Sequence, residues 1–164
     1  MRLNPASLKT IIFDFDGVLT DNRVFCDSNG NEFVACSRAD GLAFDVLKKL
    51  EYNLLILSTE KNPVVSARAK KLGVPVIQGV SNKKEELLRM EQDGSINLEH
   101  SMFVGNDFND YRAMEVCGHS CCPSDSHPLI IELSDFVLEC KGGNGIVREI
   151  AESILNINFL DYIK

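Results

Sequence analysis

Three short stretches of this sequence gather oxygen-bearing side chains. Asp14 and Asp16 stand two residues apart, directly after the apolar run Thr10-Ile11-Ile12-Phe13. Ser58 and Thr59, with Glu60 next, close the run Leu54-Leu55-Ile56-Leu57. Asn106, Asp107 and Asp110 follow Met102-Phe103-Val104 and Gly105. Carboxylates brought together shift one another's pKa unless a cation sits among them. Oxygen ligands with no His or Cys nearby favour a hard ion, and Mg²⁺ is the expected one. The competing reading is structural, because Asx residues also cap strands and open turns.

These stretches come together only if the chain builds the right frame. Five apolar runs have strand character: 10–13, 54–57, 74–77, 102–104 and 136–138. Unbroken apolar runs suit strands covered on both faces. Helical patterns lie between them. Residues 40–50 carry an apolar stripe at 42, 43, 46, 47 and 50. Asn62-Pro63 reads as a cap and first turn opening a helix to Leu72, with Gly73 just past its end. Residues 82–90, 109–116 and 145–155 complete the set. This alternation predicts an α/β fold, a doubly wound parallel sheet in one domain spanning 1–164. In such a sheet, ligands bind beyond the carboxyl ends of the strands, where all three stretches fall. One segment breaks the rhythm. Arg23–Cys26 and Glu32–Ala35 flank Asp27-Ser28-Asn29-Gly30-Asn31, which predicts a β-hairpin flap over about 22–36.

Bulk properties narrow the function. The chain has 164 residues, 45% apolar and 25% charged, as a globular domain requires. A formal net charge of −7 argues against nucleic acid or an anionic membrane as partner. Residues 1–9 are polar and too short for a signal peptide, and no apolar run reaches the ~20 residues of a membrane span. The six cysteines form no CxxC pair and read as buried reduced thiols, which points to the cytoplasm.

The run Asp14-Phe15-Asp16-Gly17-Val18-Leu19-Thr20 resembles the DxDGxxT loop of the haloacid dehalogenase-like superfamily. The partner motifs of that family follow in order. The resemblance implies that Asp14 attacks phosphorus to form an aspartyl phosphate. It implies that Asp16 protonates the leaving alcohol and then deprotonates water. Ser58 takes the place of the phosphate-binding Ser or Thr, with Thr20, Thr59 and Glu60 beside the substrate. Lys83 corresponds to the lysine that neutralises nucleophile and phosphate, although Lys84 adjoins it and a solvated lysine is the plain alternative. Mg²⁺ would be held by Asp14, the Asp16 backbone carbonyl and Asn106, with Asp107 as an alternative ligand and Asp110 behind them. Many relatives read Gly-Asp-Asp where this chain has Gly105-Asn106-Asp107; the amide oxygen can ligate but adds no charge.

Within the superfamily, the chain is most similar to small phosphatases of 2-keto-3-deoxy sugar acid phosphates. These act on octulosonate 8-phosphate, or belong with acylneuraminate cytidylyltransferases. No large cap is inserted, Lys141 to Glu149 resembles a GGxGxxRE segment, and Ser124-Asp125-Ser126-His127-Pro128 stands where relatives carry A-x-A-H-P. The resemblance implies a homotetramer in which the hairpin and the Arg148 region help cover a neighbour's substrate. Glu60 stands where octulosonate phosphatases carry Arg, which favours a nonulosonate 9-phosphate. Two rivals come from other classes: a non-catalytic assembly domain partnering a cytidylyltransferase, motivated by Asn106 and Thr59, and a phospho-accepting receiver domain. The early Asp14/Asp16 pair weighs against both.

Overall fold

The computed structural model describes residues 7–162. The expectation about the first nine residues therefore falls partly, over 1–6, outside the described residues. The chain opens with β1 (Thr10–Phe13), which is wholly buried and ends at Asp14. A small hairpin follows, β2 (Phe25–Cys26) paired antiparallel with β3 (Glu32–Phe33). An isolated bridge between Thr20 and Cys36 closes its base, so the flap falls where it was expected, with shorter arms.

The remaining elements alternate: α1 (Arg38–Lys49), β4 (Asn53–Leu57), α2 (Val64–Leu72), β5 (Val76–Ile77), α3 (Lys83–Gln92), β6 (Ser101–Val104), α4 (Tyr111–Val116), β7 (His119–Cys122), α5 (Pro128–Leu133), β8 (Phe136–Val137) and α6 (Ile146–Glu149). A π-helical turn, Ile150–Ile154, continues α6. The main sheet is parallel with strand order β5-β4-β1-β6-β7-β8. β1 sits at its centre between β4 and β6, which also end in polar loops, so the three stretches emerge side by side.

Two cores explain why the sheet is apolar on both faces. One packs Ile11, Phe13, Leu54 and Ile56 against α1, α2 and α6. The other packs Ile12, Leu55, Leu57 and Phe103 against α3, α4 and α5. Alternate residues of each strand point to opposite faces, and each fully buried large side chain contributes ~1.5–3 kcal/mol. Phe13 meets Phe44 of α1 edge-on at 5.2 Å, fixing the end of β1 just before Asp14.

Local signals set the helix ends. Ser37 accepts from the Ala39 N–H to begin α1, and Asn82 accepts from Glu85 to begin α3. Gly73 ends α2 in the left-handed region, as its position predicts. Several expectations need correction. The Asn109 helix starts two residues later, because Asp110 turns inward instead of continuing a surface helix. β7 has no counterpart among the expected elements, whereas α5 begins at His127-Pro128, where a helix start is expected. Of the cysteines, which are all unpaired, Cys121 and Cys122 are buried but Cys26 is exposed on the hairpin.

Candidate active site

Beyond the carboxyl end of β1, the chain turns sharply back on itself. The Phe15 carbonyl accepts from the N–H groups of Val18, Leu19 and Thr20. Gly17 allows this with φ of 82°, and a side chain there would overlap the Asn106 amide. Thr20 is fully buried beneath the turn, where its Oγ1 accepts from Gly17 and Asn22 N–H groups. The expectation that Thr20 touches substrate is therefore corrected: its oxygen braces the loop from inside.

The loop presents Asp14 and Asp16 to a cleft of about 110 Å³, which Thr59, Asn106, Asp107 and Asn109 also line. Lys83, at the first position of α3, enters from below. Its Nζ lies 2.7 Å from Asp14 Oδ1 and 2.6 Å from Asp110 Oδ1, and all three side chains are buried. Lys83 is thus a buried ion-pair partner and not the solvated lysine its neighbour Lys84 would suggest. Asp110 uses its other oxygen to accept from the Asn106 N–H at 2.9 Å. It ties the ammonium to the loop that carries Asn106.

Burial, helped by Asp110 and opposed by Lys83, pushes the Asp14 carboxyl up to about 7. Burial and Glu60 likewise raise Asp16 above the usual carboxylate range. Burial pulls the Lys83 ammonium down, but Asp14 and Asp110 together overcome it and hold its pKa above the ordinary value. The site is therefore short of positive charge. Asn106 is 6% exposed, and its side-chain oxygen is buried without a hydrogen-bond partner. An orphaned amide oxygen beside two carboxylates fits a hard divalent cation, which would both satisfy it and lower the Asp14 pKa. Among the described residues no three His, Cys, Asp or Glu side chains converge on a metal position. The oxygen set here instead draws on an amide. Asp107 is half-buried and its Oδ1 accepts from the Phe108 N–H at 2.7 Å, so that oxygen is already engaged in its own turn.

Ser58 is 1% exposed at the end of β4; its Oγ accepts from Glu60 N–H and keeps its own hydroxyl proton to donate. Glu60 Oε1 accepts from the Lys61 and Asn62 N–H groups, shaping the loop into α2. Asn62 in turn donates to Glu32 of the hairpin, linking flap and loop at 2.9 Å. Arg148 is not brought to this cleft within its own chain. It lies against the Phe159 ring beside Leu42 and Val46, around a separate hollow on the α1 side. His127 caps α5 through Nδ1, and its N–H holds the Asn106 carbonyl at 2.8 Å.

The sequence missed the glycine tract as part of this site. Gly143 donates to the Val18 carbonyl at 2.9 Å, and a side chain on Gly142 would overlap the Gly17 carbonyl. The tract lies on the back of the loop bearing Asp14 and Asp16.

Comparison with known proteins finds relatives in both sequence and overall structure. Residues 45–150 match the profile of the haloacid dehalogenase-like hydrolases. The chain is 32% identical over 150 residues to 3-deoxy-D-manno-octulosonate 8-phosphate phosphatase of Escherichia coli (strain K12), covering 91% of this chain and 80% of that protein. A HAD family hydrolase from Streptomyces avermitilis MA-4680 superposes with TM-score 0.90 at 39% identity, over 94% of this chain and 89% of the other. The 3-deoxy-D-manno-octulosonate 8-phosphate phosphatase of Moraxella catarrhalis, solved with magnesium ion, phosphate ion and KDO, superposes with TM-score 0.88 at 31% identity, over 96% and 92%.

Proposed function

The chain belongs to the haloacid dehalogenase-like hydrolase family, and we propose that it is a Mg²⁺-dependent phosphatase acting on the phosphate monoester of a 2-keto-3-deoxy sugar acid. The observation that carries this reading is the Lys83 ammonium shared by Asp14 and Asp110, beside the unpartnered Asn106 oxygen. A carboxylate, an ammonium and a cation position meet at one point, as phosphoryl transfer requires.

Asp14 attacks phosphorus in line with the leaving oxygen and becomes the aspartyl phosphate. Asp16, whose raised pKa favours the protonated form, gives its proton to the departing alkoxide. As a carboxylate it then takes a proton from the water that splits the intermediate. Lys83 balances charge on Asp14 and the phosphoryl oxygens, while Ser58 and Thr59 donate to those oxygens. Asp14, the Asp16 carbonyl and Asn106 would hold Mg²⁺, which would supply positive charge to offset the negative charge of the phosphoryl oxygens. Asp107 is the alternative ligand.

Two members of the substrate class compete. The curated relative's name favours octulosonate 8-phosphate. Glu60 favours a nonulosonate 9-phosphate, since its carboxylate acts on Asp16 and would repel a substrate carboxylate held near phosphorus. The substrate wall is proposed to come from a neighbouring subunit in a homotetramer. Phe25 and Phe33, exposed at 64% and 58% on the hairpin, and the Arg148 region are the candidate contacts. Among the described residues no helix is long and apolar enough to cross a membrane, and a cytoplasmic setting is proposed.

The test is a turnover screen over both sugar-acid phosphates and a small aryl phosphate, with Mg²⁺ and with chelator. Chelator-sensitive release of phosphate, strongest on one sugar acid, is expected. No Mg²⁺-dependent turnover of any ester overturns the reading and leaves the assembly-domain alternative.

A further inference from the structure

Asp40 is a buried carboxylate that the chemistry above does not use. It is 1% exposed, lies in the first turn of α1 and does not line the cleft. Its Oδ1 accepts from the Val147 N–H at 2.8 Å, 107 residues away in sequence. Val147 is the second residue of α6, whose N-cap is Gly145, with φ of 95° and no side chain to offer. Asp40 therefore supplies from another helix the cap that α6 lacks.

That first turn is the anchor of the glycine tract. Gly143 donates to the Val18 carbonyl at 2.9 Å, and a Cβ on Gly143 would approach the Asp21 nitrogen and the Thr20 carbonyl carbon to 2.6 Å. Glu149, at the end of α6, accepts from Glu139 and Cys140 N–H groups and secures the chain entering the tract. Asp40 is thus linked by a hydrogen bond to Val147, through the four-residue backbone step back to Gly143, and by the Gly143 hydrogen bond to Val18 in the loop of residues 15–20.

We propose that Asp40 is a positioning residue: by holding the first turn of α6, it seats the Gly142–Gly145 tract on the loop from which Asp14 and Asp16 project. The kinetic side of this inference rests on the phosphatase reading; the mechanical side does not.

The test pairs residue-resolved amide hydrogen exchange with Mg²⁺-supported turnover of an aryl phosphate. Asp40→Ala should speed exchange about tenfold or more at Val147, Gly143 and Gly17, with Ile12 of β1 unchanged, since a buried bond to a charged acceptor is lost. It should lower kcat by a similar factor with KM within about twofold. Asp40→Asn keeps an acceptor oxygen and should restore most of both. Gly143→Ala presses on the loop directly and should lower kcat while Val147 stays protected. Faster exchange confined to Val147, with kcat unchanged, overturns the proposal. If Asp40→Ala fails to fold, the other two variants decide: wild-type kcat and loop protection in Gly143→Ala overturn it. If the unmodified protein hydrolyses no ester, the phosphatase reading falls, and the exchange pattern still decides the coupling.

Discussion

Replacing Asn106 by Asp tests the metal position without relying on turnover. Asn106 is buried, with its side-chain oxygen unsatisfied, next to Asp14 and against Gly17. Without metal, a new carboxylate there shares a cleft with Asp14, and two like charges a few ångströms apart repel by about 1–4 kcal/mol at effective dielectrics of about 20–80. Protonation of Asp14 relieves part of that, so a loss of about 1–3 kcal/mol is expected in chelator. With Mg²⁺ the sign reverses, because a charged oxygen replaces a neutral one at the cation. Tenfold tighter binding adds about 1.4 kcal/mol to metal-linked stability. In a domain of this size each kcal/mol moves the midpoint by about 2–4 °C. The assay is thermal unfolding of both proteins in chelator and across a Mg²⁺ titration. Asn106→Asp should melt several degrees lower in chelator, respond to Mg²⁺ by about 3–6 °C more, and half-saturate at a lower concentration. Identical Mg²⁺ responses in the two proteins would refute Asn106 as a ligand and move the role to Asp107.

Asp14→Asn should abolish turnover with circular dichroism unchanged, since an amide cannot form the aspartyl phosphate; appreciable activity in the folded variant sinks the covalent mechanism. Asp16→Ala should lose ~10²–10⁴-fold in kcat on a poor leaving group while keeping Mg²⁺ binding; a loss of only a few-fold rejects Asp16 as the acid. Lys83→Met should cost about 3–5 kcal/mol, because it strands the buried Asp14 and Asp110 carboxylates, and chemical denaturation will show whether it does. Burial, against the pull of Val147 and Arg148 N–H groups, raises the Asp40 carboxyl to about 6. A raised carboxyl contributes stability that is complete below pH 3.8 and lost as pH rises through about 6, so Asp40→Asn should flatten this slope, worth up to ~3 kcal/mol, in denaturation curves taken from pH 3.5 to 7.

The parts of the site legible in the sequence were those written in local spacing. Strand then Asp14-x-Asp16-Gly17 needs only a few residues to be recognised, and Asn82 before Lys83 is a cap in its own right. What escaped was written across space. β7 reads His119-Ser120-Cys121-Cys122, which has neither strand-like branching nor alternation, yet it pairs with β6 and is buried over its last three residues. α5 has six residues, too few for a periodic signal, so only its start at His127-Pro128 is legible. Gly142 and Gly143 look like an ordinary loop until the fold lays them on residues more than 120 positions earlier. The motif position of Thr20 suggests a substrate contact but says nothing about which way its side chain faces, and the Arg148 region is expected to act on a neighbouring subunit, which its place in one chain does not decide. Thr20 points under its loop, and Arg148 lies against Phe159.

The amide at position 106 has a consequence beyond metal affinity. Counted as fully ionised, Asp14, Asp16, Asp107 and Asp110 set four carboxylates against the Lys83 ammonium, leaving three formal negative charges, of which a divalent cation would balance two. An aspartate at 106 would add one more negative charge to the same site. A phosphate monoester arrives as a dianion, so each residual negative charge opposes its entry, and in a buried cleft that opposition is weakly screened. If Asn106 is a cation ligand, as proposed, it would trade cation affinity against substrate approach: the native residue would need more Mg²⁺ but admit the ester more readily. At saturating Mg²⁺, Asn106→Asp should raise KM for a phosphate monoester several-fold. A monoanionic phosphodiester analogue, as a competitive ligand, should lose less affinity than the dianion. Equal losses for monoanion and dianion would show that charge at position 106 does not reach the phosphate, and the trade would not exist.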